Sequence, residues 1–192
     1  MQRQPTISPS GERVAAMRVI GLAGWSGAGK TTLLRRLIPV LLARRLRVST
    51  VKHAHHSFDI DQPGKDSWEH RQAGADEVLV ASAARWALMH ELRGETEPTL
   101  PALLARMRAV DLIVVEGFKH ERHPKIEIYR AANGKPALHP GDPTIVAVAA
   151  DTALSGLTIP LYSLDDMEGI ADFAWSSAVP LEGIGWSAPV PE

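Results

Sequence analysis

Apolar positions along this 192-residue chain fall into two patterns, short unbroken runs and longer stretches with helical spacing. The runs suit strands buried on both faces, and their alternation with helical stretches predicts a mostly parallel sheet flanked by helices. Residues 17–23 are apolar and β-branched enough for a first buried strand, and residues 30–46 carry apolar side chains at helical spacing. Residues 47–52 read as a second strand that runs into a polar stretch, 53–65, whose Pro63-Gly64 marks an exposed loop. Asp66 is placed to N-cap a short helix ending near Gly74. Residues 77–81 and 85–89 look like paired strands around Ser82-Ala83-Ala84, an antiparallel hairpin added to the parallel sheet. Residues 99–108 suit a further helix, with Pro101 tolerated in its first turn. The run 111–117 is continuously apolar and capped by an acid, as expected of a buried parallel strand. Residues 126–130 alternate before the turn signal Asn133-Gly134, and 144–149 form another buried strand ending near Asp151. Asp165 or Asp166 can cap a last helix through Trp175. The predicted organisation is a polar N-terminal tail (1–15), one α/β domain (16–176) and a Pro-rich C-terminal tail (177–192). Met17 opens the first strand directly and is an alternative translation start.

Chemistry enters between the first strand and the first helix. Gly24-Trp25-Ser26-Gly27-Ala28-Gly29-Lys30-Thr31 matches G-x-x-x-x-G-K-[ST], the phosphate-binding P-loop. Strand, glycine loop and helix N-terminus together make an anion site, because backbone N–H groups converge where the helix dipole is positive. Lys30 can reach the β/γ-phosphates, and the Thr31 hydroxyl can take a Mg²⁺ position, with Thr32 next in the cradle. The chain is therefore expected to bind a nucleoside triphosphate on a P-loop NTPase-like fold.

Composition narrows the setting. A hydrophobic fraction of 45% and a charged fraction of 22% are those of a globular domain. The net charge of −1 gives no reason to expect a nucleic-acid or membrane surface. With no cysteine, disulfides, thiolate zinc sites and thiol nucleophiles are excluded, which fits a reducing cytoplasm. No apolar run reaches membrane-spanning length, and no apolar region follows Met1-Gln2-Arg3-Gln4-Pro5, so a signal peptide is not expected.

Other constellations gain meaning beside the glycine loop. Glu116, at the tip of an apolar strand, can face Mg²⁺ through water or orient an attacking water. His53-Ala54-His55-His56-Ser57-Phe58-Asp59-Ile60-Asp61 admits three readings: a phosphate-sensing loop in which Asp59 or Asp61 completes the Mg²⁺ shell and Lys52 supplies charge, a transition-metal site, or a solvated loop. The run Lys119-His120-Glu121-Arg122-His123-Pro124-Lys125 is either an anion contact or a solvated face, and Arg71 either a phosphate contact or a surface residue. Trp25 is expected to pack beside the nucleotide, while Trp68, Trp86 and Trp175 belong to core or interface. Asp151 is the one residue placed to accept hydrogen bonds from guanine N1 and N2, and strand-end capping is its competing role. The residues alone leave GTP and ATP open.

Four segments together carry a family resemblance. Ile20 to Leu33 around the glycine loop, Val51 to Asp61 with its Lys-His-x-His-His core, Pro63-Gly64-Lys65-Asp66-Ser67 with Arg71-Gln72-Ala73-Gly74-Ala75, and Val115-Glu116-Gly117-Phe118-Lys119 resemble the MobB family of molybdopterin-guanine dinucleotide biosynthesis adapter proteins. The resemblance implies a cytoplasmic homodimer that binds GTP with Mg²⁺ and hydrolyses it weakly. It implies assistance in attaching GMP to the molybdenum cofactor, beside the guanylyltransferase (MobA) and the molybdate-inserting protein, with a pyranopterin as a further candidate ligand. It carries the phosphate site onto Gly24, Ser26, Gly27, Ala28, Gly29, Lys30, Thr31 and Thr32, and the acidic strand end onto Glu116. Lys30, Glu116 and Asp59 are then the candidate catalytic residues, and Thr31, Asp59, Asp61 and Glu116 the candidate metal ligands. The alternatives are a P-loop kinase acting on a small metabolite, whose basic lid residues 119–125 only partly represent, and a nucleotide-gated binding module without turnover.

Overall fold

The computed structural model describes residues 16–54 and 58–185. The expected N-terminal tail, His55 and His56, and the end of the C-terminal tail lie outside the described residues. The chain divides into two compact units, Met1–His53 with Leu104–Glu192, and Ala54–Leu103, where one domain over 16–176 is expected from the sequence.

The larger unit is built on a seven-stranded sheet. Its strands are β1 (Arg18–Ala23), β2 (Val48–Lys52), β5 (Leu112–Glu116), β6 (Lys125–Tyr129), β7 (Ile145–Ala150), β8 (Leu161–Ser163) and β9 (Val179–Pro180). The order is β2-β5-β1-β6-β7-β8, and every pair is parallel except β9 on β1. One edge of β1 is shared: β9 pairs with Arg18 and Val19, and β6 takes over from Gly21. The Leu-Ile-Val-Val-Glu run of β5 is buried throughout, which is why it reads as continuously apolar.

Helix α1 (Lys30–Ala43) turns Leu33, Leu34, Leu37 and Leu41 toward the sheet, where they meet Ile20, Leu22, Leu112, Val114, Ile126 and Ile128. Helix α4 (Met167–Ser177) adds Ile170, Ala171 and Ala174 to the same cluster. The opposite sheet face holds polar side chains that are nevertheless buried. Lys125 donates to the Glu121 carbonyl and the Thr144 hydroxyl, both at 2.6 Å. Glu127 accepts from the backbone N–H groups of Leu138 (2.6 Å) and His139 (2.9 Å), pinning the connection from β6 to β7. Each buried charge thus meets the partners that its desolvation demands.

The smaller unit contains α2 (Asp66–Gln72) and the predicted hairpin, β3 (Glu77–Ala81) with β4 (Trp86–His90). Gly74, at φ 109°, ends the α2 segment as expected. Leu79 lies opposite Leu88, and Ala81 opposite Trp86, so these four share one hairpin face.

Several expectations need correction. Asp66 opens α2 from inside its first turn, and the N-cap is Lys65, with no side-chain cap bond. Residues 99–108 yield only α3 (Leu100–Leu104). Segment 126–130 alternates in sequence, yet β6 lies between β1 and β7 and is buried on both faces. The short strands β8 and β9 carry too few residues to show a period. Residues expected to begin a tail at 177 instead extend the fold, with Ala178 and Ile184 buried around β9.

Candidate phosphate-binding site

β1 ends at Ala23 and α1 begins at Lys30, so the intervening loop sits at the carboxyl edge of the central strand. Gly24 (φ 142°), Gly27 (φ 81°) and Gly29 (φ 95°) all hold left-handed backbone, which side-chain-bearing residues rarely adopt. The first helical hydrogen bond runs from Leu33 N–H to the Gly29 carbonyl at 2.9 Å. The N–H groups of Lys30, Thr31 and Thr32 precede it and have no helical acceptor, and Gly29 provides no side-chain cap. This is the donor set of an anion cradle.

The loop is braced from behind by the β6–β7 connection. Trp25 Nε1 donates to the Pro136 carbonyl (2.8 Å), Asn133 Nδ2 to the Ser26 carbonyl (3.0 Å) and Arg130 Nε to the Ala28 carbonyl (3.2 Å). Carbonyls that would repel a phosphate are thereby engaged elsewhere. Asn133, read from sequence only as a turn residue, is one of these braces.

Lys30 Nζ folds back onto the carbonyls of Gly24 (2.8 Å) and Trp25 (3.2 Å). Its pKa is lowered first by burial; Glu116 opposes this, and the positive charges of Lys119 and Lys52 add to it. The positive charges of Lys119 and Lys52 acting on Lys30 favour an arriving polyanion. The Thr31 hydroxyl lies 3.5 Å from Glu116 Oε2, and Glu116 is buried at the tip of β5, beside β1. A hydroxyl and a carboxylate facing each other at the cradle form the oxygen donor set that Mg²⁺ accepts. Gly117 (φ 94°) leaves no room for a side chain, since a Cβ there would stand 2.6 Å from His53 Cβ. Phe118 (φ 49°) follows in the left-handed region and stacks its ring on His53 at 4.8 Å.

The remaining candidates separate. Asp59 and Asp61 lie in the smaller unit, where Arg71 binds Asp59 through Nη2 (2.9 and 2.8 Å) and approaches Asp61 with Nε at 3.4 Å. Arg71 also donates to Glu91 at 2.7 Å, so it is an internal hub and not a surface residue. The Asp61 N–H, and after it the Arg71 guanidinium, hold the Asp59 carboxyl below the usual range. Among the described residues no group of three or more His, Cys, Asp or Glu could hold a metal, and His55 and His56 lie outside them. The basic run 119–125 is neither a continuous anion surface nor a solvated face, because His123 and Lys125 are buried while Lys119 acts on Lys30. Trp25 is partly exposed above the loop, Trp175 borders the core, and Trp86 is exposed on the hairpin.

Asp151 follows β7. Its Oδ1 accepts from Ala131 N–H at 3.0 Å, and Arg130 Nη1 stands 3.9 Å from Oδ2. Beside it opens a cleft of about 340 Å³ lined by Asp151, Thr152, Ala153, Leu161, Tyr162 and Ser163. Arg130 and the β8 residues were missed from sequence: three strand residues show no periodicity, and a lone arginine after a strand shows no motif. Their one signal is position, since β8 extends the carboxyl edge beyond β7.

Residues 19–151 match the profile of the family described as Molybdopterin guanine dinucleotide synthesis protein B, MobB. The chain is 49% identical over 158 residues to the molybdopterin-guanine dinucleotide biosynthesis adapter protein of Escherichia coli (strain K12), covering 81% of this chain and 90% of that protein. It is 41% identical over 155 residues to the protein of the same name from Haemophilus influenzae, covering 81% and 86%. A crystal structure of molybdopterin-guanine biosynthesis protein B superposes with a TM-score of 0.66 at 28% identity, over 82% of this chain and 98% of that one. With the family profile matched over residues 19–151 and near-half identity to a named relative, this chain belongs to the MobB family.

Proposed function

We propose that this protein is a cytoplasmic adapter in molybdopterin guanine dinucleotide biosynthesis that binds GTP with Mg²⁺ and hydrolyses it slowly. The observation carrying the nucleotide part is the cradle itself, with N–H groups on Lys30, Thr31 and Thr32 that have no helical acceptor and the Lys30 ammonium folded onto the loop. Gly24, Ser26, Gly27, Ala28 and Gly29 wrap the β-phosphate through their backbone, and Lys30 exchanges its two loop carbonyls for β/γ-oxygens. Thr31 and, through water, Glu116 are the residues that would hold Mg²⁺, which supplies charge neutralisation on the β- and γ-oxygens. Glu116 orients a water for attack on the γ-phosphorus; the bond to the bridging oxygen breaks, GDP departs with its electron pair, and the water proton passes to phosphate. Asp151 reads the base from the cleft beside β7.

The adapter role rests on relatives bearing that name, and its partners are then the guanylyltransferase and the molybdate-inserting protein. Self-association is supported by the hairpin face, where Leu79, Trp86 and Leu88 are all exposed. The kinase alternative loses its lid, because His123 and Lys125 are buried in the sheet unit.

Titration calorimetry of the full chain with GTP and ATP, with and without Mg²⁺, tests this reading. GTP should bind more tightly than ATP, Lys30→Ala should lose binding at least about 100-fold, and Glu116→Gln should slow hydrolysis more than it weakens binding. Near-native GTP affinity in Lys30→Ala would end the proposal.

A further inference from the structure

Arg130 braces the glycine loop and also turns its charge toward Asp151, at the other end of the proposed nucleotide site. It follows β6, which starts level with Gly21 and so runs past the end of β1 toward the glycine loop. There its Nε holds the Ala28 carbonyl at 3.2 Å. The guanidinium covers Gly29, where a Cβ would lie 3.1 Å from Nε and 3.5 Å from Nη2. On its other side, Nη1 faces Asp151 Oδ2 at 3.9 Å, and the next residue, Ala131, donates its N–H to Asp151 Oδ1 at 3.0 Å. One turn therefore meets the carboxylate with a backbone hydrogen bond and, at longer range, with a positive charge. The turn is itself closed by Asn133 N–H on the Arg130 carbonyl and Gly134 N–H on the Ala131 carbonyl, both at 3.0 Å. Asn133 then ties it to Ser26.

We propose that Arg130 is a positioning residue for base selection, aligning the Asp151 carboxylate toward the cleft and fixing its distance from the phosphate loop. The proposal rests on the guanine-nucleotide reading above. Each carboxylate oxygen has two acceptor positions, so Oδ1 can keep Ala131 N–H and still receive a second donor. Guanine offers two adjacent donors, N1–H and the N2 amino group, which a carboxylate of fixed plane accepts in parallel. Adenine offers no donor at positions 1 and 2, where N1 is an acceptor and C2 carries only hydrogen, and hypoxanthine lacks the amino group. A carboxylate free to swivel would pay ordering entropy for the paired bonds and discriminate less. The rigid arginine fork suits this task, because its Nε is held on the Ala28 carbonyl while Nη1 turns its charge toward the carboxylate.

The test compares wild type, Arg130→Lys, Arg130→Met and Asp151→Asn as full chains, titrated with GTP, ITP, ATP and inorganic tripolyphosphate. Arg130→Met should reduce the GTP preference over ITP and ATP by about 10-fold or more, beyond any common loss that freeing the Ala28 carbonyl imposes on GTP, ITP, ATP and tripolyphosphate alike. Arg130→Lys should restore part of the preference, since it keeps a charged donor without the fork, and Asp151→Asn should lose it outright. Unchanged selectivity in Arg130→Met, with wild type still preferring GTP, overturns the role of Arg130 alone. An equal fall in tripolyphosphate and GTP affinity also overturns it and makes Arg130 a phosphate-loop brace. A wild type without guanine preference overturns the underlying reading instead, and this inference with it.

Discussion

His123 is fully buried, and neither ring nitrogen has a hydrogen-bond partner among the described residues. Burial pushes its pKa down to about 4, and the neighbouring Lys125 charge acts in the same direction, against a smaller pull from Asp142. The imidazole is therefore neutral in the folded chain at pH values where the unfolded chain has already taken a proton. The contribution of His123 to stability is at its full value above about pH 6.5, falls as pH drops toward 4, and loses on the order of 3 kcal/mol across that window. Urea unfolding of His123→Leu should show a shallower decline over this range than wild type. Removing two unpaired buried nitrogens should also leave stability at pH 7 unharmed. Parallel curves for the two proteins would show that His123 does not govern the acid limb.

Among the helices, α4 shows best how one hydrogen bond places an element. Sequence leaves Asp165 and Asp166 equal as caps; in the fold Asp166 Oδ1 accepts the Gly169 N–H at 2.9 Å, while Asp165 pairs with Arg36 on the surface. Asp166→Ala should therefore cost about 1 kcal/mol, and Asp165→Ala much less, because exposed ion pairs contribute little. Chemical denaturation of the two variants checks this, and equal losses would refute the assignment. Elements with strong local signals were legible in this way. The glycine loop, α1, β5, β7 and the β3–β4 hairpin each announce themselves through motif, period or an unbroken apolar run. What stayed hidden is defined only by tertiary partners. β6 alternates in sequence but is covered on both sides, since Lys125 and Glu127 find buried partners. Asp59 and Asp61 resemble metal ligands in sequence, yet their geometry is set by Arg71, ten or more positions along the chain. The meeting of Thr31 with Glu116, by contrast, was readable because a loop motif and a strand terminus each fix a position on the same sheet edge.

At the scale of the whole molecule, the hairpin face with Leu79, Trp86 and Leu88 is the feature a lone chain would least be expected to expose. Sedimentation should find a dimer in wild type and a monomer in the double variant Leu79→Glu, Trp86→Glu, with GTP binding per chain retained. A wild type that sediments as a monomer at micromolar concentration would remove the hairpin as a self-association surface. The divided edge of β1 has its own corollary for anyone engineering this chain. Val179 and Pro180 cover the stretch of backbone that β6 leaves bare in reaching up to the glycine loop. A protein cut after Ser177 would keep every motif residue and still expose Arg18 and Val19 as an open seam at the root of the nucleotide strand, inviting intermolecular strand pairing.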